Sequence, residues 1–390
     1  MALKNAREAI TDIAKAGLVI TRKVASGMVA DERRLDTDAV RRAVAGLHPD
    51  RVPARVASVH DETETATTIR LVPAGPEPFP PFVAGQYAAV YLDIDGVPTS
   101  RPYSISSPPS RAGYMEITVR ALPDGFVSAY LCESVNAGDL FEVSAPAGRF
   151  VHDPLVDTDD LVFIAGGGGV TPFMSMIREA VDLKRGPAMR LLYGSRTEAD
   201  VMFGDELMGT ACCEDNVDFK LVVSEPVGDW AGVCGLLDAG VISEFVGDID
   251  GKTFFVCGPP AMHVLCEGAL RELGVPGRRI KTEASGPPPD VTAVRGWPST
   301  HTGEEEFAVT VEGRGPFRAL CAEPLLNSLE RNGMTVENLC RSGECGVCRA
   351  SLVSGSVFMP DTTAIRKSDT AFGYIHPCVS YPLTDINIQI

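Results

Sequence analysis

Four cysteines in the C-terminal part of the chain have a spacing that suits iron–sulfur chemistry. Cys340, Cys345 and Cys348 follow the pattern C-x4-C-x2-C, and Cys378 comes 30 residues after Cys348. A [2Fe–2S] cluster needs four thiolates, two on each iron, and this spacing supplies them. Zinc is the main alternative, but zinc sites usually show two C-x2-C pairs, and the C-x4-C step fits them poorly. The spacing therefore predicts that all four cysteines are iron ligands.

The loop between these cysteines contains Gly343 and Gly346, which let the backbone curl and point its amides at the sulfurs. Residues 304–390 resemble a plant-type ferredoxin over their whole length. Besides the cysteine spacing, the resemblance rests on the predicted strand Phe307–Val311, the helical segment Leu325–Asn332 and the sequence His376-Pro377-Cys378.

Two further motifs are typical of a flavin site. Arg101-Pro102-Tyr103-Ser104 offers a cation for the phosphates, an aromatic face for the ring and a small donor for its N5 atom. Gly125-Phe126-Val127-Ser128 opens a predicted helix, Ser128–Val135, whose free N–H groups favour a pyrophosphate. The alternative is a partly buried surface strand and a serine that caps a helix.

A glycine run predicts a dinucleotide site. Gly166 to Pro172 follows the apolar strand Leu161–Ala165 and precedes a helix, which is the order of a phosphate site on a doubly wound sheet. Cys257-Gly258-Pro259 ends another apolar strand, where such sheets bind ligands, so Cys257 is placed to face a nicotinamide. The alternatives are a glycine turn without a ligand and a buried cysteine that acts as a small hydrophobe.

The elements around these motifs predict a multidomain chain. Short β-branched runs in residues 53–153 indicate an antiparallel β-barrel, and apolar strands that alternate with helices in 154–284 indicate an α/β domain with a parallel sheet. Residues 285–303 are rich in Pro, Gly, Ser and Thr and are predicted to be a linker. The α+β ferredoxin-like (β-grasp) domain follows in 304–390, and residues 1–52 have helical spacing.

Composition limits the function classes. The 390 residues are 45% hydrophobic and carry a net charge of −17, with +3 on residues 1–52 and −20 on the rest, so nucleic acids and anionic lipid surfaces are poor partners. We expect no membrane span and no signal peptide. The 11 cysteines do not form a disulfide framework, which favours a reducing, cytoplasmic location.

Together these motifs resemble the ferredoxin–NADP reductase superfamily, and their order resembles the single-chain reductases of oxygenase systems. The resemblance covers residues 53–390 and leaves residues 1–52 unexplained. It implies that Ser104, Cys257 and Glu283 are catalytic and that the cofactors are bound by a larger set. That set is Arg101, Tyr103, Ser104, Val119, Gly125, Phe126, Val127, Ser128, Gly167, Gly168, Gly169, Val170, Thr171, Ser195, Arg196, Cys257, Gly258 and Pro259.

Two choices of cofactor follow from finer details. The run Tyr103 to Ser107 is more similar to FAD-binding than to FMN-binding relatives, so we expect FAD. Glu225, next to Ser224, would repel the 2′-phosphate of NADPH, whereas Arg196 could bind it. We expect NADH.

The expected function is an NAD(P)H:acceptor oxidoreductase that passes electrons from NADH through FAD to a [2Fe–2S] cluster. A nicotinamide gives electrons in pairs and a cluster takes them singly, so a flavin is needed between them. The expected acceptor is a downstream redox protein, an oxygenase component above all. The alternatives are an electron-wiring subunit that docks through residues 1–52 and a reductase for an anaerobic partner, such as a corrinoid or radical enzyme.

Overall fold

The computed structural model describes residues 51–123, 125–283, 286–361 and 365–390. The predicted helical extension lies almost wholly outside the described residues. Within them no helix is long and apolar enough to span a membrane.

An antiparallel sheet of six strands forms the first domain. Its strands are β1 (Val52–Thr63), β2 (Ala66–Pro73), β3 (Tyr87–Ile94), β4 (Val97–Ser104), β5 (Met115–Arg120) and β6 (Leu140–Val143). They lie in the order β4-β3-β6-β1-β2-β5, and a bridge between Ile105 and Ile117 joins the two edge strands, which closes the barrel. Alternate residues of β1 (Val52, Ala54 and Val56) are buried in its core, as a half-buried strand requires. The helix α1 (Phe126–Glu133) lies between β5 and β6.

The second domain has a parallel sheet in the order β10-β9-β8-β7-β11-β12. Its strands are β7 (Asp160–Gly166), β8 (Ala188–Ser195), β9 (Val217–Val223), β10 (Val233–Cys234), β11 (Thr253–Cys257) and β12 (Ile280–Glu283). Its helices are α2 (Thr171–Leu183), α3 (Gly204–Cys213), α4 (Ala239–Val246) and α5 (Pro260–Glu272). Phe163 of β7 stacks on Phe173 of α2 at 4.6 Å between ring centres, so aromatic packing fixes the helix that follows the glycine loop.

The third domain combines a mixed five-stranded sheet, in the order β14-β13-β19-β15-β17, with a two-stranded one, β16-β18. Its elements are β13 (Glu306–Val311), β14 (Phe317–Leu320), α6 (Leu325–Arg331), β15 (Ala350–Ser354), β16 (Val357–Phe358), α7 (Lys367–Ala371), β17 (Tyr374–Ile375), β18 (Tyr381–Pro382) and β19 (Ile386–Gln389). Ahead of it, Trp297 packs edge-on against Phe358, so the end of the Pro-rich stretch is anchored on this domain.

Buried polar contacts join the first domain to the third. Ser100 Oγ donates to Asn338 Oδ1 at 2.7 Å, and Thr99 Oγ1 donates to Glu330 Oε2 at 3.1 Å. The described residues of all three domains form one compact unit. The barrel strand β4 is therefore held directly against the cysteine loop.

Candidate functional site

One cleft of about 410 Å³ brings the separately predicted motifs together. The barrel, the parallel-sheet domain and the cysteine loop all contribute to its wall. Its predicted residues are Arg101, Pro102, Tyr103, Ser104, Gly125, Phe126, Val127, Ser128, Gly168, Thr171, Glu283, Cys340 and Cys378. The flavin, nicotinamide and cluster motifs therefore face a common space.

Strand β4 places Arg101 and Tyr103 on the cleft wall. The guanidinium of Arg101 donates to Thr99 Oγ1 and to the Ser100 carbonyl oxygen, both at 2.8 Å, which fixes its direction. Burial, together with the nearby Arg341, lowers the pKa of Arg101 to about 10. Burial also raises the pKa of Tyr103, so its phenol stays neutral and its ring is available for stacking.

Helix α1 begins at Phe126, two residues before the predicted start at Ser128. The difference arises because Ser128 lies inside the first turn, where its hydroxyl accepts from the Leu122 N–H at 3.1 Å. Gly125 is the residue before the helix. A Cβ on Gly125 would lie 2.3 Å from Ser128 Oγ, so this tight entry to the helix requires glycine. The free N–H groups of the first turn suit a phosphate.

Val119 was predicted to bind a cofactor, but its side chain does not face the cleft. It is fully buried in the barrel core, whereas its neighbours Thr118 and Arg120 line the cleft. Successive side chains of a strand point to opposite faces, so the position between two cleft residues faces the core.

The glycine loop forms a tight turn from Gly167 to Val170 that leads directly into α2. A Cβ on Gly169 would lie 2.1 Å from the Cys257 carbonyl oxygen, so the loop crosses the end of β11 where only glycine fits. Gly168 and Thr171 face the cleft, and Val170 is buried. This cradle fits a dinucleotide phosphate, because backbone N–H groups and a helix N-terminus meet there.

The three predicted catalytic residues lie close together, but only Ser104 and Glu283 line the cleft, while Cys257 is buried beside Glu283. Cys257 and Glu283 are register partners at the ends of β11 and β12, and Ser104 Oγ donates to Glu283 Oε2 at 3.4 Å. Burial, helped by the charge of Glu344, raises the pKa of Glu283 to about 8. Burial also raises the pKa of Cys257, so both groups are protonated near neutral pH. Residues from two domains thus form a neutral, proton-holding pocket.

Ser195 and Arg196 lie at the end of β8, outside the cleft but on the same edge of the sheet. Ser195 Oγ donates to the Thr197 carbonyl oxygen at 2.9 Å. The Glu225 N–H donates to the Arg196 carbonyl oxygen at 2.8 Å, and Arg196 Nε lies 3.9 Å from Asp200 Oδ2. The cation predicted to attract a 2′-phosphate therefore lies near the carboxylate of Asp200 and is joined to Glu225 through the backbone.

The four predicted ligand cysteines converge in the third domain. Cys348 Sγ lies 3.3 Å from Cys378 Sγ, while Cys340 Sγ accepts from the N–H groups of Ser342 and Cys345 at 3.4 and 3.3 Å. Such N–H contacts stabilise thiolates. Among the described residues, no group of three or more His, Cys, Asp or Glu is arranged for a single metal ion. Four cysteine thiolates are the donor set of a [2Fe–2S] cluster, so these residues fit that group.

The cysteine loop is supported from behind. Gly343 and Gly346 have φ values of 84° and 71°, in the left-handed region that favours glycine. Buried His376 hydrogen-bonds to the Gly343 carbonyl oxygen through Nδ1 and to Asp369 through Nε2, both at 3.0 Å. This network ties the loop to α7.

The sequence did not reveal Arg341, which lines the cleft next to Cys340. Its guanidinium pairs with buried Glu330 and donates to Thr99 Oγ1 of the barrel at 3.3 Å. The only available signal was a cation inside the cysteine loop, because its partner Thr99 lies 242 positions away.

Each of the three domains matches a known protein family. Residues 62–152 match an oxidoreductase FAD-binding domain, residues 163–267 an oxidoreductase NAD-binding domain, and residues 309–383 a 2Fe-2S iron–sulfur cluster binding domain.

Two curated relatives match over most of the chain. The glycine betaine monooxygenase reductase subunit of Pseudomonas aeruginosa is 30% identical over 321 residues, which cover 79% of this chain and 87% of that protein. The ferredoxin reductase component of 3-ketosteroid-9-alpha-monooxygenase of Mycolicibacterium smegmatis is 30% identical over 342 residues, 85% and 94% of the two chains.

Among solved structures, phthalate dioxygenase reductase shares the fold. It superposes with a TM-score of 0.64 at 22% identity, over 87% of this chain and 98% of that one.

Proposed function

This chain belongs to the ferredoxin–NADP reductase superfamily, and from that membership we propose that it is the reductase component of an oxygenase system. It is an oxidoreductase that uses NADH, FAD and a [2Fe–2S] cluster. When bound, these groups supply the exchange between paired and single electrons. The observation that carries the proposal is the single cleft shared by the three motifs.

The protein's own residues have distinct roles in this proposal. Arg101 and the first turn of α1 hold the flavin phosphates, and Tyr103 lies against the flavin ring. The glycine loop holds the nicotinamide dinucleotide, with Gly258 and Pro259 beside it. Ser104, Cys257 and Glu283 exclude water from the hydride path, and Glu283 holds a proton there.

An oxygenase component is the proposed acceptor, because the two curated relatives are named as reductase components of monooxygenases. Residues 304–390 contain seven Lys/Arg and eleven Asp/Glu, so their charge is −4. We therefore expect a basic surface around the redox centre of the partner. The described cysteines form no disulfides, which fits the cytoplasm as the proposed location.

The direct test combines the holoprotein with an oxygenase component encoded beside its gene. The proposal predicts NADH consumption tied to product formation, at a rate that falls as salt screens the acidic domain. Rapid NADH oxidation with artificial acceptors but no transfer to that oxygenase would contradict it.

Deletion of residues 1–50 tests docking by the extension, since a docking arm predicts weaker coupling to the same partner.

A further inference from the structure

Arg341 is a buried cation that the iron–sulfur domain places on the wall of the flavin cleft. Only 4% of the residue is exposed. Its Nη1 donates to Asn327 Oδ1 at 3.1 Å, and its Nη2 donates to Thr99 Oγ1 and pairs with Glu330. Its Nε is buried and has no hydrogen-bond partner among the residues that the structure describes. A buried donor without an acceptor is costly, so this atom points to a missing partner.

Arg341 lies beside Arg101, the residue predicted to bind the flavin phosphate. Both guanidiniums donate to the same atom, Thr99 Oγ1, at 3.3 and 2.8 Å. The hydroxyl in turn donates to Glu330, so its hydrogen-bonding capacity is fully used. Two cations thus converge on one wall with a single carboxylate between them.

Other anions near this wall do not complete the site. Glu330 pairs with Nη2 of the same guanidinium and does not accept from Nε. The other carboxylates of the cleft, Glu283 and Glu344, do not accept from Nε either. No described residue supplies an acceptor for Nε, and the side chain of Arg341 lines the cleft, where a ligand could supply one.

We propose that Arg341 is a second phosphate-binding arginine for the flavin, supplied across the domain boundary by the iron–sulfur domain. The inference rests on the proposed function, which puts FAD in this cleft. The phosphates of the flavin nucleotide are the group that suits it, because a guanidinium and a phosphate make strong, charge-assisted hydrogen bonds. Flavin affinity then depends on an intact iron–sulfur domain.

The competing explanation is that Arg341 only holds the two domains together through Glu330 and Thr99. A phosphate ligand and a structural tie differ in one measurable respect. Loss of a phosphate ligand weakens binding of FAD and FMN but not of riboflavin, which has no phosphate. Loss of a structural tie distorts the cleft and weakens all three.

The experiment titrates full-length protein, with its cluster intact and its flavin removed, with FAD, FMN and riboflavin. Arg341→Gln is compared with Arg349→Gln, a matched control because Arg349 follows Cys348 as Arg341 follows Cys340. Arg349 instead pairs with Asp369 at 3.4 Å and stacks on Tyr374, away from the cleft. Visible absorbance reports the cluster in each variant.

We expect Arg341→Gln to raise the Kd for FAD and FMN by about 10- to 100-fold, the range for a hydrogen bond to a charged group, with riboflavin unchanged. Arg349→Gln should match the wild type. If Arg341→Gln fails to fold, Arg341→Lys should still weaken FAD binding, because lysine lacks the Nε donor and the planar fork. A Kd for FAD within about twofold of wild type, or an equal loss of riboflavin, would overturn the inference. A wild-type protein that binds no flavin would instead contradict the proposed function.

Discussion

At the scale of single residues, Glu283 concentrates the chemistry of the cleft. It is a carboxyl from the parallel sheet that is buried against Ser104 of the barrel and lies level with Cys257. Burial and Glu344 raise its pKa from an ordinary 4.5 to about 8. Such a shift makes it a proton holder at neutral pH, in the place where a hydride is expected to move.

This shift predicts a pH dependence of stability. A carboxyl whose pKa is higher in the folded state than in the unfolded state stabilises the fold below about pH 4.5 and loses that contribution as the pH rises through about 8. The free energy of unfolding should therefore fall between these values, with a limiting slope of about 1.4 kcal/mol per pH unit from this group. Urea unfolding at several pH values measures the slope.

Glu283→Gln has no such proton to lose, so its unfolding free energy should depend less on pH over the same range. Glu272→Gln, at an exposed position of α5, is the control and should keep the wild-type slope. A Glu283→Gln protein with the wild-type slope would show that this carboxyl is not the group responsible.

Local motifs made most residues of the candidate site predictable. The cysteines, Arg101 and Tyr103 stand in short patterns whose spacing is set by the cofactor. Arg341 and Glu330 were not predictable, because their role comes from contact with Thr99, more than 200 positions away. No local pattern encodes a contact across a domain boundary.

At the scale of elements, the predicted nucleotide site depends on the glycine loop, which crosses the end of β11. Gly169→Ala would place its Cβ 2.1 Å from the Cys257 carbonyl oxygen, and backbone on both sides would have to move. We expect the KM for NADH to rise about tenfold or more, with FAD content unchanged, because a displacement of about 1 Å can cost on the order of 100-fold. Steady-state kinetics with ferricyanide measures it.

Gly209→Ala is the matched control, since a Cβ at this position of α3 meets no atom within 4 Å. It should leave the KM unchanged. An equal effect of the two substitutions would indicate general destabilisation and not a blocked nucleotide cradle.

The periodicity of the sequence predicted where strands and helices lie, but it did not always predict the residues at which they begin and end. Helix α1 begins earlier than predicted because Ser128 lies inside the first turn, where its hydroxyl accepts from the N–H of Leu122 ahead of the helix, and residue types alone do not reveal that bond. Val119 was placed at the cofactor although strand alternation turns it to the core. The register of a strand decides which of its side chains face the core, and here that register is set by the closed barrel.

At the scale of the whole molecule, the buried contact of the barrel with the iron–sulfur domain determines how far electrons must travel. Asn338 accepts from Ser100 Oγ at 2.7 Å and donates to the Val336 carbonyl oxygen at 2.9 Å. Asn338→Ala removes this acceptor and leaves a buried hydroxyl without its partner, at a cost of about 1–3 kcal/mol.

Asn338→Ala should slow cytochrome c reduction, which uses the cluster, and leave ferricyanide reduction by the flavin at the wild-type rate. The exposed Asn136→Ala is the control, since Asn136 lies on the barrel surface. Equal slowing of both acceptors by Asn338→Ala would place the defect at the flavin and not at the domain contact.

The central claim is that one chain moves electrons from NADH through flavin to the four-cysteine cluster. The most direct measurement is anaerobic reduction by NADH, followed by flavin absorbance and by the electron paramagnetic resonance of the reduced cluster. In the wild type, flavin bleaching and the cluster signal should both appear. In Cys345→Ser, the flavin should still bleach and reduce ferricyanide, while the cluster signal and cytochrome c reduction are lost. A wild-type cluster that stays oxidised while the flavin is reduced, or a folded Cys345→Ser protein whose flavin no longer accepts electrons, would contradict the account.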